Sequence, residues 1–377
     1  MPIFGKGVCY DIPHEDFQEQ KKFLSLSLTP NKFPSYIPSI STETHRLLAS
    51  KLSYEDPHSW AAVDVRVLAF ELFIFAATSS LAGRRVREHT DGTIVGYYHD
   101  LACAFGPLNY IFPNSLLFES NRRRNKAHTA LREHFTNLIR GDNMTSYSSE
   151  HDMLSVLLDQ RYRNGESLDE NVVAHLMILL LVAGLHTSVA ATAWLIIRIA
   201  MAPEVARDLY SEQVAHFKIE GRTELKPMTW EIVRKLPLMN AVIRETLRMH
   251  PPVPVATRYV SVDTPAPFAI LDSFANSPNE IQYIIPQGHY ILAAPLISQK
   301  DSKIWKNADI WDPYRWIDEK GDLVDFSAPY VSDDGNAYQP FGGGPHRCIG
   351  EQVGDFLCIR YGNDTQHFLM HSMPTCS

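Results

Sequence analysis

Phe341-Gly342-Gly343-Gly344-Pro345-His346-Arg347-Cys348-Ile349-Gly350 is the stretch on which the reading of this chain turns. One cysteine stands behind a glycine-rich turn that can bring backbone N–H groups against its sulfur, as a thiolate bound to the iron of a flat macrocycle requires. Cys348 is therefore the candidate metal ligand. The three glycines let the backbone adopt positive φ and approach such a group closely, and Gly350 lets a following helix pack against it. A buried structural cysteine after a hairpin turn is the plain alternative. The spacing Phe-x-x-Gly-x-x-x-Cys-x-Gly weighs against it, since it arises by chance in roughly one sequence of this composition in two thousand.

The decapeptide resembles the haem-binding loop of the cytochrome P-450 family. That resemblance implies haem b ligated by Cys348, with Phe341 and Gly344 shaping the cofactor loop and His346 pairing with a haem propionate. The family usually carries Arg where this chain has His346, and the sterol 14α-demethylases are similar to this chain in carrying His. Pro345 departs from their basic residue and removes one cation and one N–H donor from the loop.

With 377 residues, 45% of them hydrophobic, the chain can bury a large core. A net charge of -8 argues against a nucleic-acid partner, because phosphate binding needs clustered cations that this balance does not offer. The one short basic run, Arg122-Arg123-Arg124, reads as a solvated helix start. Five scattered cysteines without a C-x-x-C pair argue against a disulfide framework or zinc ribbon. No signal peptide is read at Met1–Tyr10.

Glu15 to Leu28 reads as a helix, Ser41 to Arg84 as a helical region whose apolar run is core, and Tyr98 to Phe118 as an aromatic, proline-punctuated segment covering a pocket mouth or lying on a membrane. Another helix follows the basic run to Arg140. The segment from Phe4 to Phe23 resembles the fungal sterol 14α-demethylases. The resemblance implies that Tyr10 and Lys21 bind the propionates and that Phe4 lines the substrate pocket.

Asn171 to Ala200 reads as one helix of about 45 Å. His175 and His186 within it favour a buried core helix over a membrane span. Gly184 costs such a helix about 1 kcal/mol relative to alanine, and close approach of a ligand beside Thr187 is one reason for it. A small-residue helix contact is the other. In the family, this segment resembles the dioxygen-binding groove. That implies a proton relay through His186 and Thr187, with Gly184 giving room.

Met239 to His250 reads as a helix on which Glu245 and Arg248 share a face. Followed by Pro251-Pro252 and, further on, Arg315, this order is similar to the family's structural Glu-Arg-Arg triad behind the ligand cysteine. Val255–Val262 and Ile281–Leu292 read as short strands, the second interrupted by Pro286-Gln287-Gly288. Arg258 aligns with a propionate-binding arginine of the sterol demethylases.

The expected fold is thus mainly α, a cytochrome P-450 fold with small β-sheets, over residues 1–360, with a divergent polar tail at 361–377. Measured against the family's pattern, the start and the end look truncated, and no membrane anchor is read in this chain. The resemblance implies a haem-thiolate monooxygenase that oxidises a sterol or triterpenoid. Its electrons would come from NADPH through a reductase partner, at the cytosolic face of the endoplasmic reticulum membrane. A secondary-metabolite monooxygenase and a catalytically silent haem binder are the alternatives.

Overall fold

The structure, a computed structural model, describes residues 3–51, 62–103, 112, 115–141, 153–217, 229–233, 235–266, 283–324 and 337–354. Its contacts divide the chain into two compact units. The first comprises Met1–Thr246, Asp312–Val324 and Phe341–Ser377, and the second Leu247–Trp311 and Asp325–Pro340.

Helices dominate the first unit: α1 (His14–Ser25), α2 (Phe33–Lys51), α3 (Val65–Ser80), α4 (Arg84–Glu88), α5 (Gly92–Ala102), α6 (Glu119–Arg140), α7 (Met153–Leu158), α8 (Glu170–Met201), α9 (Pro203–Phe217) and α10 (Trp230–Val233). The helix α11 (Pro237–Met249) ends in the second unit. Three aspartates set where helices begin by accepting from orphan amides of the first turn. Asp64 accepts from Arg66 N (2.9 Å) and Val67 N (3.1 Å), Asp91 from Thr93 N and Ile94 N (both 2.9 Å), and Asp169 from Asn171 N (2.8 Å).

The core is built on α8, whose 32 residues rise about 48 Å. Packed against it are α3, α5, α6, α7 and α9, and α2 lies against α3. Leu176, Met177, Ile178, Leu181 and Leu185 are fully buried along it. Among the described residues it is the one helix long and apolar enough to cross a membrane, and 61% of its most apolar window is buried inside the protein.

Several expectations needed correction. Tyr98 and Asp100 lie inside α5, where the Asp91 cap starts a helix that buries Tyr98 and Leu101 on one face. The helical region expected from Ser41 already begins at Phe33 and carries Pro38 in its interior. Of the basic run expected to be solvated, Arg124 is 2% exposed and donates to Asn121 Oδ1 and Asn125 Oδ1 at 2.8 Å, because its helix face turns into the core. The helix after Gly350 is described through residue 354, and residues 361–377 lie outside the described residues.

Helix α11 starts on an acidic cap from α9. Glu212 accepts from Leu238 N (2.7 Å) and Met239 N (3.1 Å), yet burial outweighs these bonds and pushes its pKa up to about 6. A carboxyl raised on folding binds its proton more tightly in the native state, so its contribution falls as pH rises from the unfolded value through the folded one. Between pH 4.5 and 6.5 this group is expected to remove on the order of 2 kcal/mol of stability. Urea titrations across that window should show the slope in the native protein and lose it in Glu212→Gln; an unchanged slope would assign it to other groups.

In the second unit, β1 (Ala256–Tyr259) pairs antiparallel with β4 (Tyr290–Ala293), and β2 (Thr264–Pro265) with β3 (Ile284–Ile285). The expected strands are there, shorter than their apolar runs because Pro286–Gly288 forms the turn between β3 and β4. A short helix, α12 (Pro295–Ser298), follows.

Candidate functional site

The cysteine loop is a backbone-held turn. Cys348 N donates to Phe341 O at 3.0 Å and Arg347 N to Gly344 O at 3.0 Å, while Gly342 and Gly344 take φ of 70° and 62°. Those angles are the left-handed region that glycine enters without strain. Cys348 is exposed on this turn. A side chain at Gly350 would sit 3.8 Å from its Sγ, so the glycine leaves that flank of the sulfur open. Arg347 points outward and forms a two-pronged pair with Glu351, both contacts 2.7 Å, which holds the guanidinium pKa up.

Helix α1 seats this loop from the other end of the chain. Lys21 Nζ donates to Arg347 O at 3.1 Å, the carbonyl directly before Cys348. Phe17, one turn earlier, stacks on the His346 ring with centroids 5.9 Å apart and planes at 24°, and His14 lies 6.0 Å from the same ring. Residues 14, 17 and 21 share one helical face. Of the expected propionate partners, His346 and Lys21 are therefore gathered at the cysteine loop. Tyr10 stands in the turn Cys9–Asp11, with its side chain outside the described residues. Arg258 is exposed on β1 of the second unit, where its Nη1 donates to Thr257 O at 3.0 Å.

On α8 the expected relay residues follow one another around the helix. Thr187 Oγ1 donates to Ala183 O at 3.0 Å and to Gly184 O at 3.3 Å. The His186 ring reaches the surface, but its neighbours remove enough water to lower its pKa, which disfavours the imidazolium. Gly184 does something other than open a recess. A Cβ there would fall 2.9 Å from Phe73 Cζ, so the space is filled by a ring from α3. The exposed small residue one full turn before Thr187 is Ala183, which the i, i+4 spacing could have singled out.

Farther along α8, His175 is 7% exposed, and its Nδ1 donates to Lys6 O at 2.9 Å. Its ring lies directly on Gly5 and 5.2 Å from the ring of His128 on α6. His128 hydrogen-bonds the Phe4 backbone, and burial, aided by His175, pulls its pKa down to about 4. Two neutral imidazoles thus hold the loop that leads from buried Phe4 to Tyr10. Gln20 of α1 completes the hold, donating to Gly7 O and to Tyr162 Oη, both at 2.8 Å. Nothing in the hydrophobic periodicity of α1, α6 or α8 marks these polar clamps.

The expected triad falls in both units. Glu245, fully buried, accepts from Asp312 N (2.9 Å), Arg315 Nε (3.1 Å) and Trp316 Nε1 (2.9 Å) in the first unit. Arg248, equally buried, donates to Gln299 O at 2.6 Å and Ile310 O at 3.3 Å in the second.

The residues at the loop fit a haem. A single exposed sulfur on a turn, glycines whose side-chain positions meet nothing at Gly342 and Gly344, and a neighbouring lysine and imidazole make a donor set suited to one axial bond and two carboxylates. Among the described residues no cluster of three or more His, Cys, Asp or Glu offers a cage for a bare metal ion.

Comparison with known proteins leads to the same place. The chain is 37% identical over 372 residues to a lanosterol 14-alpha demethylase of Mycosarcoma maydis, covering 93% of this chain and 66% of that protein. It is 35% identical over 368 residues to a sterol 14-alpha demethylase of Gibberella zeae, again covering 93% and 66%. The chain thus spans about two thirds of the length of these curated relatives. Among solved structures, a retinoic acid-bound cyanobacterial CYP120A1 superposes with a TM-score of 0.74 at 17% identity, over 97% of this chain and 75% of that one, which supports the fold alone. The cytochrome P450 family model matches residues 2–356, so the chain belongs to the cytochrome P450 family, which implies a haem-iron cofactor.

Proposed function

We propose that this chain is the catalytic core of a haem-thiolate monooxygenase that oxidises a sterol or related triterpenoid at a methyl group. The observation that carries the reading is the exposed Cys348 on its glycine turn, in a chain 33–37% identical to fungal sterol 14-alpha demethylases. Cys348 holds the iron. His346, Lys21, Tyr10 and Arg258 serve the propionates, and Phe341 and Gly344 keep the turn in shape. Glu245, Arg248 and Arg315 form the structural framework behind it. When bound, the haem supplies the iron chemistry that inserts one atom of dioxygen into a C–H bond, with thiolate ligation favouring O–O cleavage.

The protein's own share is positioning and proton supply. At rest the Thr187 hydroxyl proton is parked on Ala183 O, from which a rotation of χ1 can redirect it toward a bound reactant. His186, adjacent on α8 and open to solvent, has its imidazolium disfavoured and can take up a proton at one ring nitrogen while holding one at the other, passing protons from solvent toward the site. The names of the relatives support an apolar sterol-like substrate, and the resemblance to the cytochrome P-450 family supports a reductase drawing on NADPH at the cytosolic face of the endoplasmic reticulum membrane.

The test is spectroscopic and chemical together. Reduced protein under carbon monoxide should show the red-shifted Soret band of a thiolate-ligated haem, and Cys348→Ala should abolish it, while Cys9→Ala and Cys103→Ala leave it in place. A band that survives Cys348→Ala overturns the ligand assignment. With a reductase present, absence of any demethylated product from a panel of C14-methyl sterols would overturn the substrate class.

A further inference from the structure

We propose that Phe17 is a positioning residue for His346: its ring fixes the imidazole's plane so that the imidazole meets a haem carboxylate already oriented. This rests on the haem-thiolate reading above and deepens it.

His346 is exposed, and the turn that carries it lacks one amide donor because Pro345 precedes it. An exposed imidazole has two side-chain torsions to lose when it binds a carboxylate, and a ring already held in place loses less on binding. Phe17 supplies that restraint from α1 by near-parallel stacking at 5.9 Å and 24°, within the range where aromatic pairs attract. His14 closes the other side at 6.0 Å and 52°, and Lys21, one turn beyond Phe17, pins the Arg347 carbonyl at 3.1 Å. The backbone of the loop and the ring of His346 are thus held by the same helical face. Lys21 fixes where the loop is, and Phe17 fixes which way its imidazole faces. A leucine at residue 17 would fill similar space without offering a flat face.

The experiment has two readouts, neither of them turnover. In the full chain without haem, carrying 13C-labelled histidine, the His346 ring signal, assigned by its loss in His346→Gln, should be shifted upfield by the Phe17 ring current. Phe17→Leu should return it to the ordinary position. In the haem-loaded protein, transfer of haem to an acceptor apoprotein should be about 3- to 10-fold faster in Phe17→Leu, the range an aromatic pair of this geometry supports. Phe17→Tyr, which keeps the flat face, should stay within about twofold of the native rate. Placed in a His346→Ala background, Phe17→Leu should add nothing, because the effect runs through the imidazole. An unshifted native signal, equal acceleration with and without His346, or Phe17→Tyr as damaging as Phe17→Leu would each overturn the proposal. Survival of the red-shifted band in Cys348→Ala would overturn the ligand assignment instead and leave the ring-current shift to decide the stack.

Discussion

Glu245→Ala is expected to cost roughly 3–5 kcal/mol, the penalty for leaving a buried cation and its companion donors without their anion. Three donors converge on this carboxylate, from Asp312 N, Arg315 Nε and Trp316 Nε1, and Glu245 and Trp316 are both fully buried. The Arg315 side chain, only 12% exposed, keeps its charge. Glu245→Gln retains one acceptor oxygen and should lose about half as much. The comparison is Glu351→Ala, which breaks an exposed pair with Arg347 of similar length and should cost less than about 1 kcal/mol. Urea midpoints for the three variants measure this directly. A Glu245→Ala loss as small as that of Glu351→Ala would mean the buried carboxylate is not holding its donors.

The second large effect is expected at Gly5. Its φ of 96° is one that residues with side chains rarely adopt, and a Cβ there would lie 2.5 Å from two ring atoms of His175. Backbone strain and overpacking together put Gly5→Ala at about 2–5 kcal/mol. The two parts separate in a double-mutant cycle. In a His175→Ala background the collision is gone and only the backbone part, about 1–2 kcal/mol, should remain. Additive losses in the cycle would show that the ring and the glycine do not press on each other. Because the same loop leads from Phe4 to Tyr10, Gly5→Ala should also weaken binding of an apolar substrate, read as a higher Kd by spectral titration.

What the sequence made legible was what local chemistry determines. The cysteine turn shows because Phe341, Gly344, Cys348 and Gly350 at that spacing are improbable by chance, and the helix Glu170–Met201 shows because its 32 residues hold no proline and a long apolar run. What stayed hidden depends on partners remote in the chain. Gly184 carries no mark that its neighbour is Phe73 rather than a ligand, and Arg124 reads as solvated until the helix faces are known. Tyr98 reads with the aromatic, proline-punctuated segment that follows it, while the Asp91 cap draws it into α5. The stack of Phe17 on His346 joins a helix position to a turn far along the chain, and no local pattern pairs the two. Polar clamps such as His175 on Lys6 O carry no periodicity at all.

The bond from Lys21 to Arg347 O joins residues 326 positions apart, and that separation has a consequence for how the molecule comes to be. A chain leaves the ribosome at roughly 5–20 residues per second, so α1 is made roughly 15–65 s before the loop it seats. During that interval the bond from Lys21 to Arg347 O and the ring contacts of His14 and Phe17 with His346 cannot form, and closing so long a loop is deferred until nearer contacts have formed. The α8 core can assemble first, since α2 through α7 are complete before α8 and none of their mutual contacts waits for the cysteine. The cysteine turn is therefore seated late in folding, only when it reaches a helix made long before it.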